Sequence, residues 1–504
     1  MLKKLRVILA IMFFLLLMLL FLDFTGSLHL WFGWMAKVQL IPAILAVNVG
    51  VIIGLALLTL MFGRIYCSVI CPLGIFQDGV SNLSSRRKRQ KNRFRYSRAK
   101  SWLRYGVAII FILAIIMGVS AIVSVLDPYA AYGRMAFNLI TPVYRLGNNL
   151  LALISEQVGS YAFYSTEVWI KSWIVFGVAI ATLIIITILA WRQGRTYCNT
   201  ICPVGTILGL LSKYSFFRLT FVEDKCTKCQ ACEKGCKSSC IDVQNMAIDH
   251  SRCVTCFNCI NKCKFGAMKY APMQLGRKKL EEENITTQNT SNTDEGFTRR
   301  NLLTMLGTIV VSSTVKAQQL HVDGGLAEIE DKKIPNRKTP VVPPGALSAK
   351  NMKDHCTACQ LCVSACPNDI LMPSKKLEKF MQPEMTFEEG YCRPECVECS
   401  QVCPTGAIKP ITTADKSAIS IGIAVWIKDN CVVNRDDVQC NNCERHCSTG
   451  AISMVDRDSG YSESLKIPVI DKELCIGCGA CENLCPARPF SAIYVEGNVR
   501  HHAV

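Results

Sequence analysis

The sequence predicts a four-helix transmembrane module with an internal two-helix repeat, followed by small α+β domains built around cysteine. Three observations predict it. Residues 7–22, 40–62, 105–126 and 174–191 are apolar runs, close to the roughly 20 residues that a helix needs to span a bilayer. A twelve-residue phrase after the second run, Gly63-Arg64-Ile65-Tyr66-Cys67-Ser68-Val69-Ile70-Cys71-Pro72-Leu73-Gly74, returns without a gap after the fourth as Gly194-Arg195-Thr196-Tyr197-Cys198-Asn199-Thr200-Ile201-Cys202-Pro203-Val204-Gly205. Beyond residue 225 the cysteines come in runs of C-x2-C.

The first apolar run follows MLKKLR, as a signal peptide would, but no small-residue cleavage site comes after it. Its continuation through Trp31 and Trp34 reads as an interfacial anchor. Between Ser81 and Arg104 there are ten Lys or Arg and no acid, whereas the connection 127–171 balances three bases against three acids. The positive-inside rule therefore puts the basic loop and both ends of the module in the cytoplasm. A plain topology signal explains that basic run better than a lipid or partner site. The repeated phrase makes the module two copies of a helix pair, each ending in C-x3-C-P. On a continuous helix Cys67 and Cys71, or Cys198 and Cys202, would share one face at i and i+4. Reduced structural thiols are the plainer alternative for these four, since free cysteine is often simply buried.

Residues 226–263 carry C-x2-C-x2-C-x3-C twice, at Cys226, Cys229, Cys232, Cys236 and at Cys253, Cys256, Cys259, Cys263. Thiolates so spaced hold an iron-sulfur cube, the fourth crossing to the neighbouring cube as in two-cluster bacterial ferredoxins. One cluster thus takes Cys226, Cys229, Cys232 and Cys263, the other Cys253, Cys256, Cys259 and Cys236. Cys240 is an alternative to Cys236. A zinc ribbon separates its two knuckles and has no use for three cysteines in seven residues.

After Tyr270 the polar stretch EEENITTQNTSNTDEG suits a flexible connector. Thr298-Arg299-Arg300-Asn301-Leu302-Leu303, an apolar run to Val315 and then Lys316-Ala317 resemble a twin-arginine export signal lying within the chain. It is either cut at Ala317 or kept as an anchor; a short buried helix is the plainer alternative. Clusters are assembled in the cytoplasm, so a cluster domain bound for the periplasm has to cross folded. Beyond it, Cys356, Cys359, Cys362 with Cys403, and Cys392, Cys396, Cys399 with Cys366, form two further sets by the crossing rule. Cys431, Cys440, Cys443 with Cys485, and Cys475, Cys478, Cys481 with Cys447, form two more. The gaps Cys392 to Cys396 and Cys431 to Cys440 depart from the regular spacing. Short apolar echoes after these runs, TGAI, STGAI and FSAI, read as closing strands. The domains are then 1–213 for the membrane module, 214–275 for a two-cluster domain on the cytoplasmic side, 276–345 for a linker containing 298–317, and 346–504 for a four-cluster, periplasmic domain.

The chain has 29 cysteines in 504 residues and a formal charge of +17. Disulfide scaffolds are short secreted chains with scattered cysteines, and these are grouped. Six 4Fe-4S cubes of about −2 each bring the holo chain to roughly +5, and no nucleic-acid signal remains.

With YCSVICPLG and YCNTICPVG at helix ends before a two-cluster ferredoxin, residues 1–275 resemble the NapH type of ferredoxin-like quinol dehydrogenase membrane subunit, related to the membrane parts of the NosR and CcoG families. The twin-arginine-like segment and four clusters of 297–504 resemble the NapG/MauM type of periplasmic ferredoxin. The resemblance implies a multi-pass protein of the bacterial inner membrane that passes electrons from the quinone pool to a periplasmic redox protein or reductase, such as a nitrate reductase type partner. It would be an oxidoreductase component without its own terminal substrate site. It implies a redox or metal role for Cys67, Cys71, Cys198 and Cys202. A cupric reductase of CcoG type and an assembly or maturation factor of a respiratory complex are the alternatives. Asp23, His29, Asn48, Asp127 and Arg134 are weak candidates for a quinone pocket, and only Asn48 lies within an apolar run.

Overall fold

The computed structural model describes residues 2–23, 26–85, 94–157, 159, 163–166, 168, 170–273, 322–323, 327–328, 330–457 and 464–504. Much of the basic run (86–93) and the twin-arginine-like segment 298–317 lie outside the described residues.

Two of the four apolar runs are unbroken helices, Leu2–Leu22 and Trp173–Gln193. Among the described residues they are the two helices long and apolar enough to cross a membrane, with mean hydropathies of 3.0 and 2.7. The other two differ from the expected single spans. The run 40–62 is split into Leu40–Leu45 and Val49–Phe62, and 105–126 into Ser101–Ile116 and Ser120–Leu126. Both breaks close by the same hydrogen-bonded device, in which a residue with positive φ ends the first helix. Val47 (φ 52°) bonds to the Ile44 carbonyl and Asn48 to Ala43; Gly118 (φ 68°) bonds to Ile115 and Val119 to Ala114. Asn48 then caps the next helix, its Oδ1 accepting from Val51 N at 3.3 Å. Asparagine gains more by capping a helix start than by sitting inside one, so an apolar run with Asn at its centre folds as two helices.

The stretch 127–171, expected as a plain connection, is helical over Pro128–Met135 and Thr141–Gln157, with a π-turn between them. Asp127 starts it, accepting from the backbone N–H groups of Tyr129 and Ala130, with Pro128 in the first turn. The C-x3-C-P phrases are also not continuous helices. Each first cysteine lies in a short turn of helix, Tyr66–Val69 or Thr196–Thr200, and each proline opens a new helix, Pro72–Ser85 or Pro203–Ser212. The missing N–H of proline costs nothing at a helix start.

The helices carry a cysteine-rich domain at each end. At one end, Phe217–Phe221 pairs antiparallel with Met268–Pro272, enclosing two helical turns and the cysteines of 226–263. This domain seats on the ends of the repeats through Phe216 N to Leu60 O (2.7 Å), Tyr270 Oη to Phe62 O (3.0 Å) and Arg195 N to Lys237 O (3.0 Å). At the other end, the C-terminal region folds around three antiparallel pairs, Leu371–Pro373 with Pro383–Met385, Ile452–Asp456 with Lys466–Ile470, and Ile419–Trp426 with Ile493–Ala503. The echoes STGAI and FSAI lead into strands at Ile452 and Ile493, but TGAI does not. There Ala407 and Ile408 are buried in a bend whose next residue, Lys409, bonds to Gly345 O instead of to a strand.

The C-terminal region seats on the helices through Asn138 Nδ2 to Gln360 Oε1 (2.8 Å), Ser120 Oγ to Glu378 O (3.1 Å) and the ion pair of Lys171 with Asp369 (2.7 Å). The helix Leu2–Leu22 measures the separation. Arg6 near its start pairs with Asp78 beside the C-x3-C-P turns, and Phe21 near its end packs on the C-terminal region with Leu361 and Val363. At 1.5 Å per residue these points are about 23 Å apart.

Candidate functional site

The two C-x3-C-P phrases, far apart in sequence, meet in one chamber. Cys67, Cys71, Cys198 and Cys202 are 3–5% exposed and share one packed core. The repeats cross over. Arg64 of the first repeat lies 3.8 Å from its own Cys67 Sγ and donates to Cys198 O (3.2 Å) and Asn199 Oδ1 (2.9 Å) of the second. Arg195 of the second lies 3.9 Å from its own Cys198 Sγ and donates to Cys67 O (2.7 Å) of the first. Gln77 Nε2 is 3.3 Å from Cys198 Sγ, and Gly205 N is 3.4 Å from Cys202 Sγ. Burial pushes the Cys71 and Cys202 thiols up, and the nearby Cys198 pushes both the same way.

The repeated glycines have a packing role that spacing alone does not reveal. A Cβ on Gly205 would overlap Cys198 O and come within 2.8 Å of Arg64 Nη2; one on Gly74 would overlap Cys67 O and come within 2.6 Å of Arg195 Nη1. Gly205→Ala is therefore expected to lower stability by about 1–3 kcal/mol, as overpacking does, measured as a fall in the thermal midpoint. An unchanged midpoint would contradict the crossed packing.

The charge around the chamber is one-sided. Asp78 is paired with Arg195 (2.8 Å), Lys237 (3.5 Å) and Arg6. Burial alone would raise its carboxyl, but those three cations and the Arg195 hydrogen bond hold it well below the usual carboxylate range. Arg64, 0% exposed, has no carboxylate partner among the described residues.

At both ends the cysteines gather in sets of three or four. Burial raises the third cysteine of each regular run, and neighbouring thiolates add to it. These are Cys263 and Cys226 around Cys232, Cys256, Cys253 and Cys236 around Cys259, and Cys356, Cys359 and Cys403 around Cys362. The same holds for Cys392, Cys366 and Cys396 around Cys399, and for Cys478 and Cys475 around Cys481, with Cys447 beside Cys478. Cys366, Cys392, Cys396 and Cys399 line one cavity, and Cys431, Cys440, Cys443 and Cys485 another. Even the irregularly spaced Cys431 thus reaches its set. Hollows lined by four sulfurs and otherwise mostly apolar fit iron-sulfur cubes. Backbone N–H groups aim at several of the sulfurs, as Ala267 does at Cys263 (3.2 Å) and Ala492 at Cys485 (3.3 Å); such bonds raise cluster potential. Cys240 Sγ lies 3.5 Å from Cys236 Sγ and also beside Cys253, so both alternatives for the crossing ligand occupy one place. Cys229 is exposed.

In the regular runs the residues flanking the second cysteine share a left-handed backbone: Lys228 and Gln230, Thr255 and Phe257, Ala358 and Gln360, Gly477 and Gly479. Only the last pair advertises this by being glycine. Of the weak quinone candidates, Asp23 binds Leu28 N and His29 Nδ1, and Arg134 donates to Ala358 O at 3.5 Å, so these hold turns and the seat of the C-terminal region.

The chain carries 4Fe-4S domains of the ferredoxin type. A 4Fe-4S binding domain is matched at residues 44–91 and 173–221, the segments that hold the C-x3-C-P phrases, and a 4Fe-4S dicluster domain at 355–407 and 438–488. The chain is homologous to ferredoxin-type proteins. It is 31% identical over 154 residues to the methylamine utilization ferredoxin-type protein MauM of Methylobacillus flagellatus, covering 28% of this chain and 62% of that one. It is 35% identical over 155 residues to MauM of Methylophilus methylotrophus, covering 28% and 65%. To the ferredoxin-type protein NapF of Escherichia coli it is 29% identical over 156 residues, covering 31% and 86%. The chain thus spans under two thirds of the length of these MauM proteins. No solved structure matches.

Proposed function

We propose that this protein is a membrane-bound electron conduit, in which quinol is oxidised at the helical module and electrons leave through the C-terminal clusters to a periplasmic reductase. The observation that carries the reading is the placement of a cluster-type domain at each end of a helical module, about 23 Å apart along a helix. In this reading Leu2–Leu22 and Trp173–Gln193 cross the bilayer, and the broken helices complete the module. The module corresponds to a NapH-type subunit and the C-terminal region to a NapG/MauM-type ferredoxin in one chain. Six 4Fe-4S clusters would accept and release single electrons. The chain's own residues hold them, bury them and direct backbone N–H groups at their sulfurs.

Cupric reduction at the C-x3-C-P thiols fits less well, because those thiols are buried beneath Arg64 and Arg195 and offer an incoming ion no exposed ligand. To test the conduit, a reduced menaquinol analogue is added without oxygen to the purified protein. Bleaching of the visible absorption and new paramagnetic resonance signals are expected, from the higher-potential clusters first. A fully loaded protein that does not respond would overturn quinol oxidation by this chain.

A further inference from the structure

We propose that the basic cavity between the helical module and the domain 214–275 binds a phosphate-bearing anion, either the headgroup of an anionic phospholipid or a soluble phosphate compound. The conduit reading bears only on the source, since it puts this end of the module at a membrane surface.

The cavity holds about 580 Å³, within the range of sites for small organic ligands and well above what a bare ion needs. Three stretches of chain wall it. The segment 94–100, which leads into the helix Ser101–Ile116, brings Arg95, Arg98 and Lys100; the end of Trp173–Gln193 brings Arg192; the domain 214–275 brings Lys237 and Arg252. Among the described residues no Asp or Glu lines it. The carboxylates that touch the wall are each engaged: Asp78 with Lys237 (3.5 Å), Asp249 with Arg252 (2.6 Å), and Glu233, which accepts from Tyr96 N (3.0 Å). Arg95, Arg98, Lys100 and Arg192 have no carboxylate partner among the described residues.

The segment 94–100 is fastened to the domain. Ser97 N bonds to Ser239 O at 3.4 Å, and the Arg252 guanidinium lies 5.8 Å from the centre of the Tyr96 ring. Two polar groups of the wall are left over. Arg252 and Ser238 are 4% and 6% exposed, yet Arg252 Nη2 and Ser238 Oγ have no hydrogen-bond partner among the described residues, and buried polar groups are normally satisfied. A phosphate supplies acceptor oxygens on that wall, and the planar arginine fork matches it in geometry. A cleft lined by one sign of charge also concentrates the opposite ion. The positive-inside excess accounts for Arg95, Arg98 and Lys100 in their loop, but not for Lys237 and Arg252, which lie in another domain beyond the module. Basic pockets at the cytoplasmic ends of membrane helices are suited to anionic headgroups. An occupant that faces cations of both parts clamps the domain 214–275 to the helices.

The test uses the full chain, purified without oxygen in detergent and stripped of lipid, with phosphatidylglycerol, phosphatidylcholine, pyrophosphate and ATP as probes. Retained ligand is read by native mass spectrometry and stabilisation by the thermal midpoint. Arg98→Gln/Arg192→Gln removes two exposed cations of the cavity, and Lys213→Gln/Lys269→Gln removes the same charge from exposed positions outside it. The wild type and the second variant are expected to bind phosphatidylglycerol or a soluble phosphate probe, with a raised midpoint. The first variant should bind it at least about tenfold more weakly, as the loss of charged hydrogen bonds requires. Phosphatidylglycerol held in preference to phosphatidylcholine, and not displaced by pyrophosphate or ATP, identifies a lipid headgroup; displacement by either identifies a soluble phosphate. If no probe binds more tightly than phosphatidylcholine, or if both variants lose binding equally, the proposal is overturned. Quinol reduction is scored separately on the same samples. If it fails while the anion binds, the conduit reading falls and the site stands.

Discussion

Asp78→Asn is expected to cause the largest loss of stability in the helical module. The substitution keeps the shape of the side chain and removes the one carboxylate that faces Arg195, Lys237 and Arg6. Breaking a buried pair in this way costs about 3–5 kcal/mol, because the partner charges stay buried. At about 2–4 °C per kcal/mol for a domain of this size, the thermal midpoint should fall by roughly 10 °C. The pH dependence has a definite sign. The folded carboxyl is held below its ordinary value by the three cations, so its contribution is complete above about pH 4 and fades as pH falls towards the folded value. The gap between wild type and variant should be flat from neutral pH to about pH 5 and narrow only in stronger acid. A midpoint that does not move would show that the four charges do not form one buried unit.

Gly133→Val is expected to disconnect the two ends without emptying either. In the helix Pro128–Met135, a Cβ at this position would overlap Cys359 O and come within 2.8 Å of the Phe21 ring. The neighbouring backbone belongs to a cluster ligand and has little room to give, so the C-terminal region must lift from its seat. On the conduit reading proposed above, iron content should match the wild type, while reduction of the C-terminal clusters by a quinol analogue should be lost or greatly slowed. Gly147→Val is the control, since a Cβ there meets nothing within 4 Å. If Gly133→Val transferred electrons at the wild-type rate, the seat at Cys359 would not be the point of crossing.

How far the sequence could be read depends on the kind of interaction. The cluster-type cysteine runs were legible because ligand spacing is local: three thiols within seven residues, as at Cys226, Cys229 and Cys232, have few other uses. The repeat was legible because it is written twice. The helix breaks were not. Gly118 offers a cue, but Val47 is β-branched, and its positive φ is imposed by the closing hydrogen bonds and by Asn48 as a cap. Hydropathy sums over such a break and reports one span. The chamber was also hidden. Nothing local to Cys67 tells that Cys198 lies opposite, and the clue was the pair of glycines, Gly74 and Gly205, which recur because each faces an arginine from the other repeat. The helix Pro128–Met135 and the π-turn after it were missed because polar residues there, Arg134 and Asn138, face the C-terminal region and not solvent.

The seating of the C-terminal region on the helices has a kinetic consequence. A free ferredoxin must find its partner by diffusion, so its rate of delivery follows concentration and weakens with salt when opposite charges guide the encounter. Here the contacts are built into one chain, with Asn138 on Gln360 and Arg134 on Ala358 buried between the two parts. In the proposed conduit, passage between them is a first-order event whose rate is set by a fixed distance. It should be indifferent to dilution and to ionic strength, and any such dependence in turnover would belong to the outer partner.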